Sequence, residues 1–262
     1  MYTWADIDLK ALDSNLAYIR SLAGNRRIMG VVKQDAYGHG LIEVALRLQE
    51  NRIDFLGVHS KEEARLLRAH GVIVPILILS NVIEGDDVRV LIRQDVRFSV
   101  RDEEFLRMLD TEAACVGAKA IVHVKVDTGM NRLGINDEVA EDFIVGAMGY
   151  RNIVVEGLFS HLSSADCDDE YTRLQLDKFN IILDKLRQRG ITIPVTHIAN
   201  SAGIVSCLDA RLDMVRAGIM LYGVSPVARA VPELKPVMSV KTRVIHIKRI
   251  PPHSFVSYSK TW

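Results

Sequence analysis

Lys33 closes an apolar run, RIMGVVK, and is followed at once by QDAYGHG. A lysine at the end of a strand is partly desolvated, which lowers its pKa and favours the neutral amine that Schiff-base chemistry needs. Gly38 and Gly40 let the next loop turn tightly, and Tyr37 and His39 offer donors to a ligand there. Taken alone, such a lysine is better explained as a snorkelling side chain ahead of a glycine turn. Further segments put polar residues in the same kind of place. HVKVDTGMNRLG (123–134) clusters Lys125, Asp127 and Arg132, which a surface salt-bridge cluster explains equally well. GLFSHLSSA sets His161 beside small hydroxyl residues, where a satisfied core histidine is the plainer account. THIANSAG (196–203) carries His197, Asn200 and Ser201 into a short helix. Ser201 and the amides of that helix start could bind a phosphate, or Asn200 or Ser201 could simply cap the helix. DMVRAGIMLYG (213–223) ends a strand at Arg216, after which Gly218 and Ile219 supply main-chain N–H groups with no Gly218 side chain in the way.

Such residues act together only if the chain gathers them. Eight β-rich runs, at 27–33, 54–59, 75–80, 96–100, 119–127, 153–160, 193–199 and 211–216, alternate with amphipathic helical patterns. Two of those patterns are 61–71 and 171–190, the second closed by Gly190 as a C-cap. Eight strands, each followed by a helix, indicate an α/β fold of the (β/α)8 barrel type. A doubly wound open sheet is the alternative, although it usually needs fewer strands. Active sites of such barrels lie at the C-terminal strand ends. One face would then hold a lysine, two arginines, two histidines and a phosphate-type nest.

The ends break this rhythm. Residues 2–9 look like a strand and 10–24 like a helix, both ahead of the first barrel strand. Residues 238–250 alternate apolar with polar, as a half-buried antiparallel strand does, and SFVSYSKTW is a further strand-like run. The expected organisation is a barrel over 10–235, then a mostly antiparallel β-domain over 236–262, joined by 2–9 and cut short at Trp262.

The 262 residues suffice for a large core without disulfides or metals, and Lys plus Arg balance Asp plus Glu at 33 each. No global field therefore favours nucleic acid or a membrane surface, and an anionic ligand must be gripped locally. Cys115, Cys167 and Cys207 are scattered and odd in number, which suits neither a disulfide framework nor a zinc site and points to a reducing compartment. The opening MYTWADIDLK has no signal-peptide pattern and no apolar run is long enough to cross a bilayer, so a cytoplasmic protein without a metal is expected.

The VVKQDAYGHG segment closely resembles the cofactor-lysine motif of alanine racemases, the fold-type III pyridoxal-phosphate enzymes. The resemblance continues in the family's order through TWADIDL, KVDTGMNRLG, FSHLSSAD, HIANSAG, DMVRAGIMLYG, LKPVMSVKTRV and VSYSKTW. It implies an isomerase that interconverts L- and D-alanine, with Lys33 carrying pyridoxal 5'-phosphate and acting as base on one face of the substrate. Tyr37, Ser201, Gly218 and Ile219 would hold the phosphate, with Asn200 also in the cofactor site. Arg216 would face the pyridine nitrogen, Arg132 the phenolic oxygen, and Lys125, a carbamate in several family members, would orient Arg132. His161 and His197 would flank the cofactor, with His161 supporting Arg216. The family also implies a homodimer and a role in D-alanine supply for cell-wall precursors.

Two departures stand out. Ala217 replaces the family's proline, a change expected to be minor. The family's second base is a tyrosine in the partner subunit's C-terminal domain, and Tyr258 lies upstream of the motif that carries it. Two-base racemisation is therefore expected to be impaired in the sequence as written. A non-catalytic pyridoxal-phosphate barrel, a racemase of serine or another amino acid, a decarboxylase of the same fold type, and a fragment needing its missing domain from another chain are the alternatives.

Overall fold

The computed structural model describes residues 2–80 and 85–260. Its strands are, in chain order, β1 (Thr3–Ile7), β2 (Arg27–Val31), β3 (Phe55–Val58), β4 (Ile76–Ile78), β5 (Val96–Val100) and β6 (Ala120–Asp127), followed by β7 (Ile135–Asn136), β8 (Ile153–Phe159), β9 (Val195–His197), β10 (Met214–Ala217) and β11 (Met238–Thr242). Eight of them pair in parallel in the order β10-β2-β3-β4-β5-β6-β8-β9. Asp213 N–H donates to the Thr196 carbonyl at 3.1 Å and Arg216 N–H to the Ala199 carbonyl at 3.0 Å, so the two ends meet and the sheet is a nearly closed barrel. A sheet that runs round in sequence order has no reversal point of the kind a doubly wound fold requires.

Period-2 alternation divides the strand side chains between two environments. One set, with Leu56, Ile76 and Phe98 fully buried in it, packs under the helices against side chains such as Leu12 and Phe179. The other set points inward, where Met29, Phe55, Leu77, Val195 and Met214 form a smaller apolar cluster. Other inward positions are polar, among them Arg97, Ser99, His123, Lys125, His197 and Arg216, all buried.

The helices begin where short acceptor side chains satisfy their free N–H groups. Asp8 caps Leu9–Ala23, Ser60 forms a capping box with Glu63 at Lys61–Ala69, and Asp102 and Asp168 cap Glu103–Val116 and Asp169–Gln188. The last of these ends at Gln188 with Arg189 as its C-cap, so Gly190, the expected cap, stands one place beyond it at φ 74°. β10 is followed by a 3-10 turn, Ile219–Tyr222, and not by a full helix. Beside that turn lies Leu9–Ala23, whose buried Asn15 donates to the carbonyls of Leu221 and Lys235 at 3.0 and 2.8 Å.

β1 and β11 form a separate antiparallel ribbon, with Thr3 opposite Thr242 and Ile7 opposite Met238. The strand expected over 238–250 stops at Thr242, because β1 supplies partners only as far as Thr3. Beyond it Val244, Ile245 and Ile247 are exposed, and their main-chain groups join no ladder among the described residues. The strand-like run expected from Ser254 is also irregular, with a 3-10 turn at Tyr258–Lys260. Its last two residues, Thr261 and Trp262, lie outside the described residues.

Candidate active site

β2 delivers Lys33 to the C-terminal mouth of the barrel, and the chain then turns in an unusual way. Gln34, Asp35, Ala36 and Tyr37 have φ of 56°, 55°, 53° and 55°, one turn of left-handed helix without a glycine. That conformation costs roughly 1–2 kcal/mol per residue in an L-amino-acid chain. Bonds at both ends offset it: Ala36 N–H donates to the Val32 carbonyl at 2.8 Å, and the Asp35 carboxylate accepts from Leu41 N–H at 2.8 Å. The Glu63 carboxylate accepts from Gln34 N–H at 2.6 Å and from His59 N–H at 2.7 Å, tying the Lys33 loop to the end of β3. Burial lowers the Lys33 pKa and the Arg132 charge lowers it further, with Glu63 opposing both. More of the amine is therefore neutral at a given pH than in an ordinary lysine.

The left-handed turn presents Tyr37 to the loop after β10. Gly218 has no Cβ, and one built there would stand 3.0 Å from the Tyr37 hydroxyl and 3.8 Å from Ser201 Oγ. Ser201 Oγ accepts from Gly218 N–H at 2.9 Å, whereas Asn200 caps the helix Ser201–Ser206 by accepting from Gly203 N–H at 3.0 Å. Asn200 is thus the cap and Ser201 belongs to the cradle. Tyr222, which donates to the Val31 carbonyl at 3.0 Å, packs its ring 5.0 Å from that of Tyr37.

Arg216 is buried under the floor of the same cavity. It donates to His161 Nδ1 at 3.0 Å, His197 Nδ1 at 2.9 Å and the carbonyls of Ser160, His197 and Ile198 at 2.7, 3.1 and 3.1 Å. Burial lowers its pKa to about 9, which leaves the guanidinium charged at neutral pH. His161 and His197 are held well below the usual histidine range, first by burial and then by the Arg216 charge. Both rings are neutral acceptors at Nδ1. Lys125, from β6, is lowered to about 8 by burial and by the charges of Arg216 and Arg132.

A cavity of about 590 Å³ joins these parts, a size typical of small-molecule sites. Lys33, Tyr37, Lys125, Arg132, His161, Asn200, Ser201, Arg216, Gly218 and Ile219 all line it. His197 does not; it lies behind Arg216, stacked on Phe159 with ring centroids 4.8 Å apart. His39 is also off the wall, its ring against Tyr222. The Lys125, Asp127 and Arg132 group is no salt-bridge cluster: Asp127 accepts from Gly129 and Asn131 N–H, and Arg132 is exposed on the cavity wall. His59, Leu79, Ser80, Phe159 and Asp166 line the cavity without having been singled out in the sequence. The first three directly follow β3 and β4, so the strand-end rule applied to every strand would have found them.

Comparison with known proteins places this geometry. The sequence profile of the alanine racemase N-terminal domain matches residues 7–226. The chain is 42% identical to an alanine racemase of Halothermothrix orenii over 99% of its own length and 69% of that protein's. It is 38% identical to an alanine racemase of Methanococcus maripaludis, over 99% and 71%. Among solved structures, the alanine racemase of Clostridium difficile 630 superposes with a TM-score of 0.92 at 36% identity, covering 100% of this chain and 70% of that one.

Proposed function

This chain belongs to the family of the alanine racemase N-terminal domain, and on that premise we propose that it interconverts L- and D-alanine with pyridoxal phosphate carried on Lys33. The observation that carries the reading is the convergence on one cavity of a partly desolvated lysine, a hydroxyl and amide cradle, and a buried arginine. The donor set fits the cofactor. Tyr37, Ser201, Gly218 and Ile219 would hold the phosphate, and the missing Cβ at Gly218 leaves it the room.

The cofactor, when bound, supplies an electron-withdrawing system that acidifies the Cα–H of an attached amino acid. The chain's own residues do the rest. Lys33 Nζ, its pKa lowered by burial, takes or returns a proton on one face. Arg216 can only donate, so it would leave a facing pyridine nitrogen unprotonated and restrain side reactions such as transamination. Arg132 would bond the phenolic oxygen, with Lys125 orienting it, and His161 steadies Arg216 from the cavity side. Tyr258 is 93% exposed and off the wall of its own chain's cavity. Homodimerisation, a cytoplasmic location and D-alanine supply to cell-wall precursors belong to the same proposal and rest on the family. So does a division into a barrel over 10–235 and a β-domain over 236–262 with 2–9.

One-face proton transfer can be tested apart from full racemisation. With pyridoxal phosphate and L-alanine in heavy water, the protein is expected to exchange the alanine Cα proton for deuterium, read by proton NMR. Lys33→Ala should reduce the rate by about 10²–10⁴-fold, the usual weight of a positioned base. Exchange no faster than with free cofactor, or unchanged in the variant, would refute the proposal.

A further inference from the structure

Behind Arg216, away from the cavity, a chain of polar side chains runs down the inside of the barrel, buried from Arg216 to His123 and half-buried at Glu156. Arg216 Nη1 lies 2.9 Å from His197 Nδ1, His197 Nε2 2.8 Å from His123 Nδ1, and His123 Nε2 3.0 Å from Glu156 Oε2. Glu156 also accepts from Arg97 Nε at 3.3 Å, and Arg97 pairs with Asp95 at 2.6 Å, just before the start of β5. His123 and His197 are fully buried.

The two ends of this relay fix its direction. A guanidinium can only donate and a carboxylate can only accept. Arg216 therefore makes His197 Nδ1 an acceptor, which leaves the ring proton on Nε2. That proton goes to His123 Nδ1, so the His123 proton also sits on Nε2 and is given to Glu156. Burial keeps both rings neutral, which the single-direction chain requires. Burial alone would raise the Glu156 carboxyl, but bonds from His123 and the charge of Arg97 outweigh it and hold it ionised.

The fold goes to some length to build this line. The β6–β8 register shifts between Val122 and His123: Val122 pairs with Val155 and His123 with Gly157, which leaves Glu156 as the extra residue of a bulge. Bulges re-aim side chains, and this one brings Glu156 to His123. Gly157 makes room for the ring, since a Cβ there would come within 2.3 Å of His123 Nδ1. Phe55 packs edge-on against His123 at 6.0 Å. The neighbouring inward positions, Met29, Leu77, Val195 and Met214, show that apolar side chains fill this interior equally well. Buried polar groups are costly unless all of them are satisfied.

We propose that Glu156 and His123 are positioning residues for Arg216: the carboxylate, through two histidines locked in the Nε2–H form, sets the orientation in which the guanidinium meets the cofactor ring. This rests on the assignment of Arg216 to the ring in the proposed function, but the relay itself can be measured without cofactor. Long-range proton–nitrogen correlation spectra of 15N-labelled protein, assigned with His123→Gln and His197→Gln, are expected to show both rings neutral and Nε2-protonated from about pH 6 to 8, the range where an unperturbed histidine titrates. A ring in the Nδ1–H form, or a cationic one, would overturn the relay whether or not the chain binds pyridoxal phosphate.

The link to the ring is read from pyridoxal-phosphate affinity in a double-mutant cycle. Glu156→Gln keeps an acceptor oxygen and should hold Kd within about twofold, whereas Glu156→Met should raise it about tenfold, a coupling usual within one buried network. In an Arg216→Met background Glu156→Met should add nothing. Should Glu156→Met fold poorly, Glu156→Asp, which shortens the reach, is expected to show the same dependence on Arg216. An equal loss in both backgrounds, or no loss in either, would mean that Glu156 does not act through Arg216.

Discussion

Lys125 shows most plainly how the barrel mouth sets the state of one residue. Burial and the charges of Arg216 and Arg132 lower its pKa to about 8 from the ordinary 10.5. Between those values the unfolded chain binds more protons than the folded one, so stability rises with pH across that window. Below about 8 the amine is protonated in both states and the folded protein bears the full cost, up to about 3 kcal/mol at 1.36 kcal/mol per pKa unit. Lys125→Met is expected to flatten the rise in unfolding free energy between about pH 8 and 10.5, as measured by urea denaturation at a series of pH values. An unaltered rise would mean that Lys125 is not desolvated. At the same scale the sequence was readable for residues whose place on the cavity wall follows from a strand end or the loop after it, such as Lys33, Arg132 and Arg216. It was silent on Glu156 and His123, because pairing between β6 and β8 and a one-residue bulge bring them together, and neither is written in local spacing.

Among the elements, the left-handed turn over Gln34–Tyr37 departs furthest from what the residue types favour. Gly38 and Gly40 announced a tight loop, and both have positive φ, but the strain falls on the four non-glycine residues before them. A turn of this kind persists because its surroundings over-determine it, here through Asp35, Glu63 and the buried Ala36. Its product is the placement of the Tyr37 hydroxyl opposite Gly218. Gly218→Ala is expected to raise the Kd for pyridoxal phosphate about tenfold, roughly 1.4 kcal/mol, and to lower the unfolding free energy as well, since φ −110° with ψ −99° lies outside the regions alanine favours and the added Cβ would meet the Tyr37 hydroxyl at 3.0 Å. Fluorescence titration with the cofactor checks this, and an unchanged Kd would place the phosphate elsewhere. The barrel strands were legible to within a few residues because each is an apolar run with turn signals at its ends. The 238–250 run was read too long because alternation states which face is apolar, not how far a partner strand extends.

At the scale of the whole molecule, closure of the barrel unites segments from Lys33 to Ile219 on one face. No such closure serves the ribbon of β1 and β11 or the chain after it, where Ile247 is 83% exposed and Phe255 63%. Two strands are marginal without a covered face, and exposed apolar groups favour association. Ile247→Lys is expected to raise the concentration at which the protein begins to aggregate, followed by light scattering, while altering stability by no more than about 0.5 kcal/mol, as surface changes usually do. Equal aggregation in the variant would shift the liability to another surface.

The decisive bond is the one proposed between Lys33 and pyridoxal phosphate. Protein saturated with the cofactor, reduced with borohydride and digested, should yield a single pyridoxyl-modified peptide carrying Lys33 by mass spectrometry, and Lys33→Ala should yield none. A modified peptide carrying Lys125 in place of Lys33, or an adduct that survives in Lys33→Ala, would contradict it.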